Sequence, residues 1–196
     1  MTDTSAGYEF NADAYLAARS DVGTEVISDW ARRNLPSGSA ILDAGCGSGW
    51  PVASALSDIG LAVHGIDASP RLVAEFRRRL PGLPVACETI ETTSGFGRQF
   101  EAVLAIGVLF LFPEARQLPM LRALGRMVMP RGHLLFTAPA QPYSWMDAVT
   151  AQPSCSLGTD RYEELLADAG FDLANTFEDE GENHYLHAVK RAALPT

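Results

Sequence analysis

The stretch LDAGCGSG, residues 42–49, decides the fold of this chain. A short apolar run, 40–42, leads into it, and the helical pattern of residues 50–59 follows it. Glycines at alternate positions between a strand and a helix let the backbone turn tightly and approach a ligand closely. The next apolar run, 62–66, ends at Asp67, where a carboxylate can bind both hydroxyls of a ribose. The stretch therefore predicts a nucleotide-binding strand–turn–helix unit.

Strand and helix patterns alternate along the rest of the chain. Residues 9–34 have a helical pattern, which Gly23 and a plausible cap at Ser20-Asp21 divide into two helices. Further helices are predicted at 50–59, 69–80, 113–129 and 159–169. Strands are predicted at 40–42, 62–66, 85–87, 100–104, 133–137, 171–178 and 184–190.

The connections complete this pattern. Ser69-Pro70 suits a helix start, the turn 130–132 separates a helix from a strand, and Thr159-Asp160 caps the last helix. Residues 138–158 are predicted to form a long loop. The alternation predicts a doubly wound α/β fold with a mostly parallel sheet. The last two strands leave no room for a helix between them, so they should form an antiparallel hairpin.

Composition and charge limit the kinds of partner. The chain has 196 residues, 47% of them hydrophobic, which suits a single domain with a real core. Its net charge of −9 disfavours nucleic acid and anionic membranes as partners. No apolar run could span a bilayer and no signal sequence is visible, so we expect a cytoplasmic protein. We expect it to be a monomer or a homodimer. The three cysteines are far apart, which argues against a disulfide framework and a metal site.

The motif DAGCGSG resembles that of the class I S-adenosylmethionine-dependent methyltransferases. A dinucleotide-binding loop has the spacing GxGxxG, whereas this one has GxGxG with Asp43 two residues before the first glycine. The resemblance covers about residues 37–137 by motif and the remainder by topology. It implies a Rossmann-like sheet of seven strands, the last one antiparallel and inserted beside the fifth. The single domain 1–196 would comprise a helical N-terminal cap (1–36), a cofactor-binding core (37–137) and a loop, helix and terminal β-hairpin (138–196).

The resemblance also implies a cofactor, S-adenosyl-L-methionine, with S-adenosyl-L-homocysteine as product. Gly45, Cys46 and Gly47 would line the methionine portion through their backbone, and Asp43 would support the loop or meet the amino group. The family usually has Gly-Asp-Ala after the third strand, whereas this chain has Cys87-Glu88-Thr89 there. The remaining implied contacts are Asp67 with the ribose, Ala68, Glu88 and Thr89 with the adenine, and Ile106 and Gly107 with the sulfonium. Tyr15 and Arg19 would belong to a lid over the cofactor; alternatively, Tyr15 packs as an ordinary core residue and Arg19 is solvated.

Two motifs that are missing after the fourth strand limit the class of methyl acceptor. The fourth strand is followed neither by the Asn/Asp-Pro-Pro-aromatic run of enzymes that methylate exocyclic base nitrogens nor by the two glutamates of arginine methyltransferases. These absences and the acidic charge favour a small-molecule acceptor. Loops at the carboxyl ends of the strands should form its walls, with Phe110, Tyr143 and Trp145 as candidates. The last two are alternatively hydrophobic anchors of their loop.

The acidic segment EDEGENHY, residues 178–185, has two interpretations. The topology puts it at the carboxyl edge of the sheet, where four acids would favour a cationic acceptor such as an amine. His184 could then act as a base, and Tyr185 could contact the substrate. Alternatively, the segment is a solvated hairpin tip. The other three histidines, His64, His133 and His187, are better explained as structural residues.

Two other functions compete with methyl transfer. A non-catalytic module that keeps the cofactor fold is one, because no obvious polar catalytic residue follows the fourth strand. An NAD-dependent dehydrogenase is the other, although the glycine spacing and the single domain disfavour it.

Overall fold

A twisted seven-stranded sheet organises the molecule. The computed structural model describes residues 3–192 and contains, within them, α1 Ala12–Ala18, α2 Thr24–Asn34, α3 Val52–Asp58, α4 Pro70–Arg79, α5 Glu114–Met127 and α6 Thr159–Asp168. Its strands are β1 Ala40–Ala44, β2 Ala62–Asp67, β3 Val85–Cys87, β4 Phe100–Ala105, β5 Val128–Thr137, β6 Pro142–Met146, β7 Pro153–Leu157, β8 Phe171–Glu178 and β9 His184–Lys190. The ends of the predicted cap and of the terminal segment, residues 1–2 and 193–196, lie outside the described residues.

The strand order confirms the predicted topology. The sheet runs β3-β2-β1-β4-β5-β9-β8, and only β9 is antiparallel to its neighbours. The order reverses between β1 and β4, which opens a crevice at their carboxyl ends, where open α/β sheets bind ligands. Because Ala44 pairs with Ile66, the glycine-rich loop after β1 lies directly beside Asp67 at the end of β2.

Helices cover both faces of the sheet. All five residues of β1 are buried, as expected of a strand packed on both sides. Ile41 packs in a cluster with residues of α2 and α3, whereas its neighbour Leu42 packs in a second cluster with residues of α5 and α6. Successive side chains of a strand point to opposite faces, so each strand contributes to both halves of the core.

Local signals explain the helix boundaries. The Ser69 hydroxyl accepts a hydrogen bond from the Leu72 amide at 3.2 Å, and Pro70 fills the first turn of α4, as predicted. The opening segment is indeed two helices, with Gly23 immediately before α2 at φ +80°.

Three predicted connections are wrong. Residues 138–158 are not a plain loop, because β6 and β7 pair there as a separate antiparallel hairpin. The turn 130–132 is part of β5, which begins at Val128 and passes an irregularity with Arg131 at φ +63°. Thr159 does not cap α6: Gly158 precedes the helix, and the Thr159 hydroxyl instead approaches the Ala140 carbonyl and His184.

No helix within the described part of the chain is long and apolar enough to cross a membrane.

Candidate active site

A cavity of about 790 Å³ lies along the carboxyl edge of the sheet. Its walls come from the loops after β1, β2, β3, β4 and β5, from the N-terminal segment, from β6 and from the β8–β9 turn. A cavity of this size is in the range of natural ligand sites.

The glycine-rich loop is fastened to β2. The amides of Gly45 and Cys46 donate to the Ile66 carbonyl at 2.8 and 3.0 Å, and the Gly47 amide donates to Asp67 Oδ2 at 2.8 Å. A side chain at Gly47 would come within 2.5 Å of the Tyr15 hydroxyl, so the lid helix needs glycine there. These amides are already used within the protein, which leaves backbone carbonyls for the predicted cofactor contacts.

Asp67 is placed to receive hydroxyl groups. Its Oδ1 accepts from the Ser69 amide at 2.8 Å, and its Oδ2 accepts from the Gly47 amide. Burial raises the pKa of this carboxyl, while the same two hydrogen bonds lower it. Each oxygen keeps a further lone pair, which is what binding a ribose diol requires.

Asp43 and Arg19 form a charged end of the site. Asp43 is buried under the loop, and burial raises its pKa to about 7 even though the Arg19 charge acts to lower it. Among residues 3–192, Arg19 Nε is one of the few buried side-chain nitrogens without a hydrogen-bond partner. The Arg19 guanidinium lies 5.7 Å from the centre of the Tyr15 ring. An unsatisfied guanidinium beside a buried carboxyl suits a ligand that carries an amino acid group.

The loop after β3 forms the opposite end. Glu88, Thr89 and Ile90 line the cavity. Glu88 Oε2 accepts hydrogen bonds from the Thr93 hydroxyl at 2.6 Å and the Ser94 amide at 3.2 Å. The loop thereby orients a glutamate longer than the aspartate usual in the family and leaves Oε1 for a ligand.

The end of β4 borders the middle of the cavity. The Gly107 amide donates to the Thr137 hydroxyl at 2.7 Å, which fixes the loop to β5. Gly107 has φ +73°, and no atom lies within 4 Å of the position that a Cβ would take. Ile106 and Gly107 therefore face open space between the two ends of the site.

Aromatic rings form one wall beyond that point. Tyr143 and Trp145, on the same face of β6, are stacked with ring centres 5.5 Å apart and 12° between their planes. Trp145 also packs on Phe110, with centres 5.2 Å apart. We refer to Phe110, Tyr143 and Trp145 as the aromatic wall.

The acidic segment divides into structural and cavity-lining residues. Asp179 Oδ2 accepts from the Tyr185 hydroxyl at 2.8 Å, and Asp179 Oδ1 accepts from the Gly181 and Asn183 amides, both at 2.9 Å. Glu180 accepts from the Gly23 amide at 3.1 Å. Asp179 and Glu180 therefore hold the turn and the N-terminal cap in place, and neither lines the cavity.

Five residues of the same segment do line the cavity: Glu178, Glu182, Asn183, His184 and Tyr185. His184 Nε2 lies 3.2 Å from the Thr159 hydroxyl, and its Nδ1 lies 3.6 Å from Glu178 Oε1. The hydroxyl of Tyr185 is used by Asp179, and its ring stacks on Phe177. Burial and Asp179 raise the pKa of Tyr185, so it remains a neutral phenol.

The N-terminal segment closes over the cavity through contacts that the sequence did not predict. Glu9 accepts from the Ser69 hydroxyl at 2.6 Å and from the Arg71 amide at 3.0 Å, and the Tyr8 hydroxyl donates to Asp147 at 3.2 Å. Thr137 was missed as well. None of these residues belongs to a motif, and only the folded chain brings their partners together.

The structure gathers nearly all predicted site residues around this one cavity. Only Asp43 and Cys46 of the predicted set do not line it. Cys46 points inward, where a side chain on Gly65 would contact its sulfur. His64, His133 and His187 lie away from the cavity, in agreement with a structural role.

Known proteins share both the motif and the architecture. Residues 41–132 match the family described as "Methyltransferase domain". A curated relative, the S-adenosyl-L-methionine-dependent Diels-Alderase iliD of Neonectria sp., is 31% identical over 156 residues, which are 70% of this chain and 60% of that protein. The chain thus spans less than two thirds of that relative's length.

Two solved structures have the same fold over nearly the whole chain. The CcbJ methyltransferase from Streptomyces caelestis has a TM-score of 0.76 at 16% identity, covering 98% of this chain and 100% of that one. The 1,6-didemethyltoxoflavin-N1-methyltransferase of Burkholderia thailandensis has a TM-score of 0.75 at 17% identity, covering 97% and 91%. The family match covers residues 41–132, just under half of the chain, and the seven-stranded topology is the fold of the class I S-adenosylmethionine-dependent methyltransferases.

Proposed function

We propose that the protein binds S-adenosyl-L-methionine along the carboxyl edge of its sheet and transfers the methyl group to a small-molecule acceptor. One observation carries this proposal: a single cavity joins the glycine-rich loop and Asp67 to the aromatic wall. A small-molecule acceptor is supported by the Burkholderia structure, which contains bound 1,6-didemethyltoxoflavin and S-adenosylhomocysteine.

The residues at the cofactor end fit this group. Asp67 would bind the ribose, with Ala68 and Thr89 beside the adenine and the free Glu88 oxygen on its amino group. The unpartnered Arg19 nitrogen would meet the cofactor carboxylate, and Asp43, buried beneath the glycine-rich loop and outside the cavity wall, would support that loop. When bound, S-adenosylmethionine would supply an activated methyl group: an acceptor lone pair would bond to the methyl carbon in line, and the carbon–sulfur bond would break with its electrons left on the sulfur of S-adenosylhomocysteine.

The chain's own task is then alignment, exclusion of water and proton transfer. The aromatic wall and the N-terminal cap would hold the acceptor beside Ile106 and Gly107. His184 is the one histidine that lines the cavity, and its Nδ1 lies 3.6 Å from a Glu178 oxygen. We assign His184 as the group that takes up the acceptor's proton, because it lines the cavity and its Nδ1 has no hydrogen-bond partner within the described part of the chain.

Calorimetric titration with S-adenosylmethionine, S-adenosylhomocysteine and NAD tests the cofactor assignment. We expect the first two to bind and NAD not to bind. Asp67→Ala should weaken S-adenosylhomocysteine binding about tenfold or more, because charge-assisted hydrogen bonds contribute roughly 1.5–3 kcal/mol. Asp58→Ala, an exposed acid at the end of α3, is the matched control and should bind normally. Equal affinities for the two variants would refute the role of Asp67.

The Neonectria relative favours a second candidate. Its name describes a cofactor-dependent cycloaddition and not methyl transfer. The protein would then hold S-adenosylmethionine intact while other residues of the cavity act on the second ligand. Incubation with labelled S-adenosylmethionine and an acceptor library separates the two candidates, since only methyl transfer yields S-adenosylhomocysteine and a labelled acceptor.

A further inference from the structure

We infer that the acceptor is an amine attached to a flat, apolar ring. This inference rests on the proposed function and concerns the acceptor end of the same cavity. Three features support it: the aromatic wall, the unequal charges that line the cavity, and the way in which the wall is anchored.

The aromatic wall is suited to a planar ligand. Tyr143 is 60% exposed although it is a large ring, so its face is available from the cavity side. Trp145 is held between Tyr143 and Phe110 and cannot turn away without breaking both contacts. Aromatic faces attract both flat rings, by stacking, and cations, through their negative quadrupole.

The wall has a rigid support. Gln117, fully buried in α5, donates to the carbonyls of Phe112 at 2.8 Å and Cys155 at 3.1 Å, and it accepts from the Tyr162 hydroxyl at 2.7 Å. These bonds tie the β6–β7 hairpin to the segment after β4, which carries Phe110. A surface held in this way loses little conformational freedom when a ligand binds, so it can select by shape.

The charges that line the cavity are strongly unequal. Among the described lining residues there are six acids, Asp67, Glu88, Glu91, Asp147, Glu178 and Glu182, and one basic residue, Arg19. Arg19 and Asp43 belong to the cofactor end. Glu91 is paired with Arg116, and Asp147 is used by the Tyr8 hydroxyl and by local amides. At the acceptor end, Glu178 and Glu182 therefore have no lysine or arginine partner among the described lining residues, and Glu178 has only His184 nearby.

This arrangement selects by charge. A carboxylate or phosphate on the acceptor would find no cation there and would be repelled by both glutamates. An ammonium group would be attracted by the glutamates and by the faces of the aromatic wall. His184, with Glu178 near its Nδ1 and Thr159 near its Nε2, is positioned to take the proton that such an amine must lose before its lone pair can react.

Three probes with one phenol ring test the inference: tyramine, 4-ethylphenol and 3-(4-hydroxyphenyl)propionate. Each is titrated by calorimetry into protein saturated with S-adenosylhomocysteine. We expect the amine to bind at least about tenfold more tightly than the carboxylate, with the neutral phenol between them. Glu178→Gln combined with Glu182→Gln should reduce that ratio to about threefold or less and leave the neutral phenol unaffected.

Two further variants serve as controls. Glu163→Gln with Asp168→Asn changes the net charge equally on the exposed side of α6 and should leave the tenfold ratio intact. Trp145→Ala should weaken all three probes alike. Failure of S-adenosylhomocysteine to bind would overturn the proposed function. Normal cofactor binding with no saturable amine binding, with equal amine and carboxylate affinities, or with a ratio that the glutamate variants leave unchanged would overturn this inference alone.

Discussion

Asp43 is a buried carboxyl group whose ionisation the folded chain opposes. Burial raises its pKa from 3.8 to about 7, with Asp67 adding to the effect and Arg19 opposing it. Between pH 3.8 and about pH 7, Asp43 therefore keeps its proton in the folded state and has lost it in the unfolded state. Near neutral pH this residue therefore lowers the free energy of unfolding.

Asp43→Asn should consequently change how stability depends on pH. Relative to the natural chain, the variant should gain free energy of unfolding as the pH rises from about 4 to about 8, by at most roughly 4 kcal/mol. Urea unfolding at several pH values, without cofactor, measures the difference. An unchanged difference across this range would show that Asp43 ionises normally. The same variant should bind S-adenosylhomocysteine more weakly, because the carboxyl group that supports the glycine-rich loop from beneath is lost.

Single residues of the cofactor end were the most predictable part of the site. The glycine spacing and the strand ends placed Gly45, Gly47 and Asp67 correctly around one cavity, because backbone geometry alone dictates those positions. The acidic turn was less predictable. Sequence could place its four acids at the correct edge, but which of them turn inward depends on their partners: Tyr185 within the segment for Asp179, and the distant Gly23 for Glu180.

Among the elements, the β6–β7 hairpin was missed altogether. Pro142 and Pro153 disfavour strands in sequence, and the hairpin joins no strand of the main sheet. Its two prolines pair with residues at the opposite ends of the hairpin, Leu157 and Met146. What holds the hairpin is tertiary: Gln117 bonds the Cys155 carbonyl, and Phe110 packs on Trp145. Local patterns cannot reveal an element that depends on such contacts.

The joint between the N-terminal cap and the β8–β9 turn depends on Gly23. Its amide donates to Glu180, and a Cβ there would collide with the Tyr185 hydroxyl and the Asp179 carboxylate. Gly38 has the same φ of +80°, but nothing lies within 4 Å of the position of its Cβ. Alanine at Gly38 would therefore cause backbone strain alone, whereas alanine at Gly23 would cause the same strain and a steric collision.

Gly23→Ala and Gly38→Ala should differ for this reason. Gly38→Ala should lower the free energy of unfolding by about 1 kcal/mol, the usual penalty of a left-handed alanine. Gly23→Ala should cost roughly 2 kcal/mol more, because the cap must move off the turn. Hydrogen exchange should also speed up in α1 and the start of α2 for Gly23→Ala only. Equal destabilisation of both variants would mean that the cap is not fastened at this point.

Across the whole molecule, the sheet brings together residues far apart in sequence. A mostly parallel sheet was predictable because strands and helices alternate, and the terminal hairpin was predictable from its short connection. The place of β9 beside β5 followed only from the resemblance to the methyltransferases, and the structure confirms it. The side-chain contacts between β5, β8 and β9 were not predictable. His187 Nδ1 lies 2.7 Å from Asn175 Oδ1, and His187 Nε2 lies 2.9 Å from His133 Nδ1. The ring of Trp30 from α2 packs edge-on against both histidines.

The surroundings of His133 and His187 favour the neutral form of both rings. The Asn175 oxygen only accepts, so His187 carries its proton on Nδ1 and accepts from His133 through Nε2. Burial lowers the pKa of His187 to about 4, with His133 contributing, and burial also lowers the pKa of His133. Below pH 6.5 the unfolded chain takes up protons that the folded chain refuses. The stability that the pair contributes is therefore fully present above pH 6.5 and is lost as the pH falls through about 4.

The free energy of unfolding should therefore fall by on the order of 2 kcal/mol from this pair between about pH 6.5 and pH 4. His187→Gln should flatten this part of the profile, since glutamine does not titrate. Asn175→Asp should act in the opposite sense to the natural pair, because a carboxylate beside His187 favours its protonated form and preserves stability in acid. Urea unfolding across this pH range measures all three proteins, and identical slopes would mean that the histidines titrate alike in the folded and unfolded states.

Asp179 provides an internal check on these measurements. Burial raises its pKa, but hydrogen bonds from Asn183 and Tyr185 lower it by more. The stability that Asp179 contributes is therefore lost only below its ordinary pKa of 3.8, in every variant.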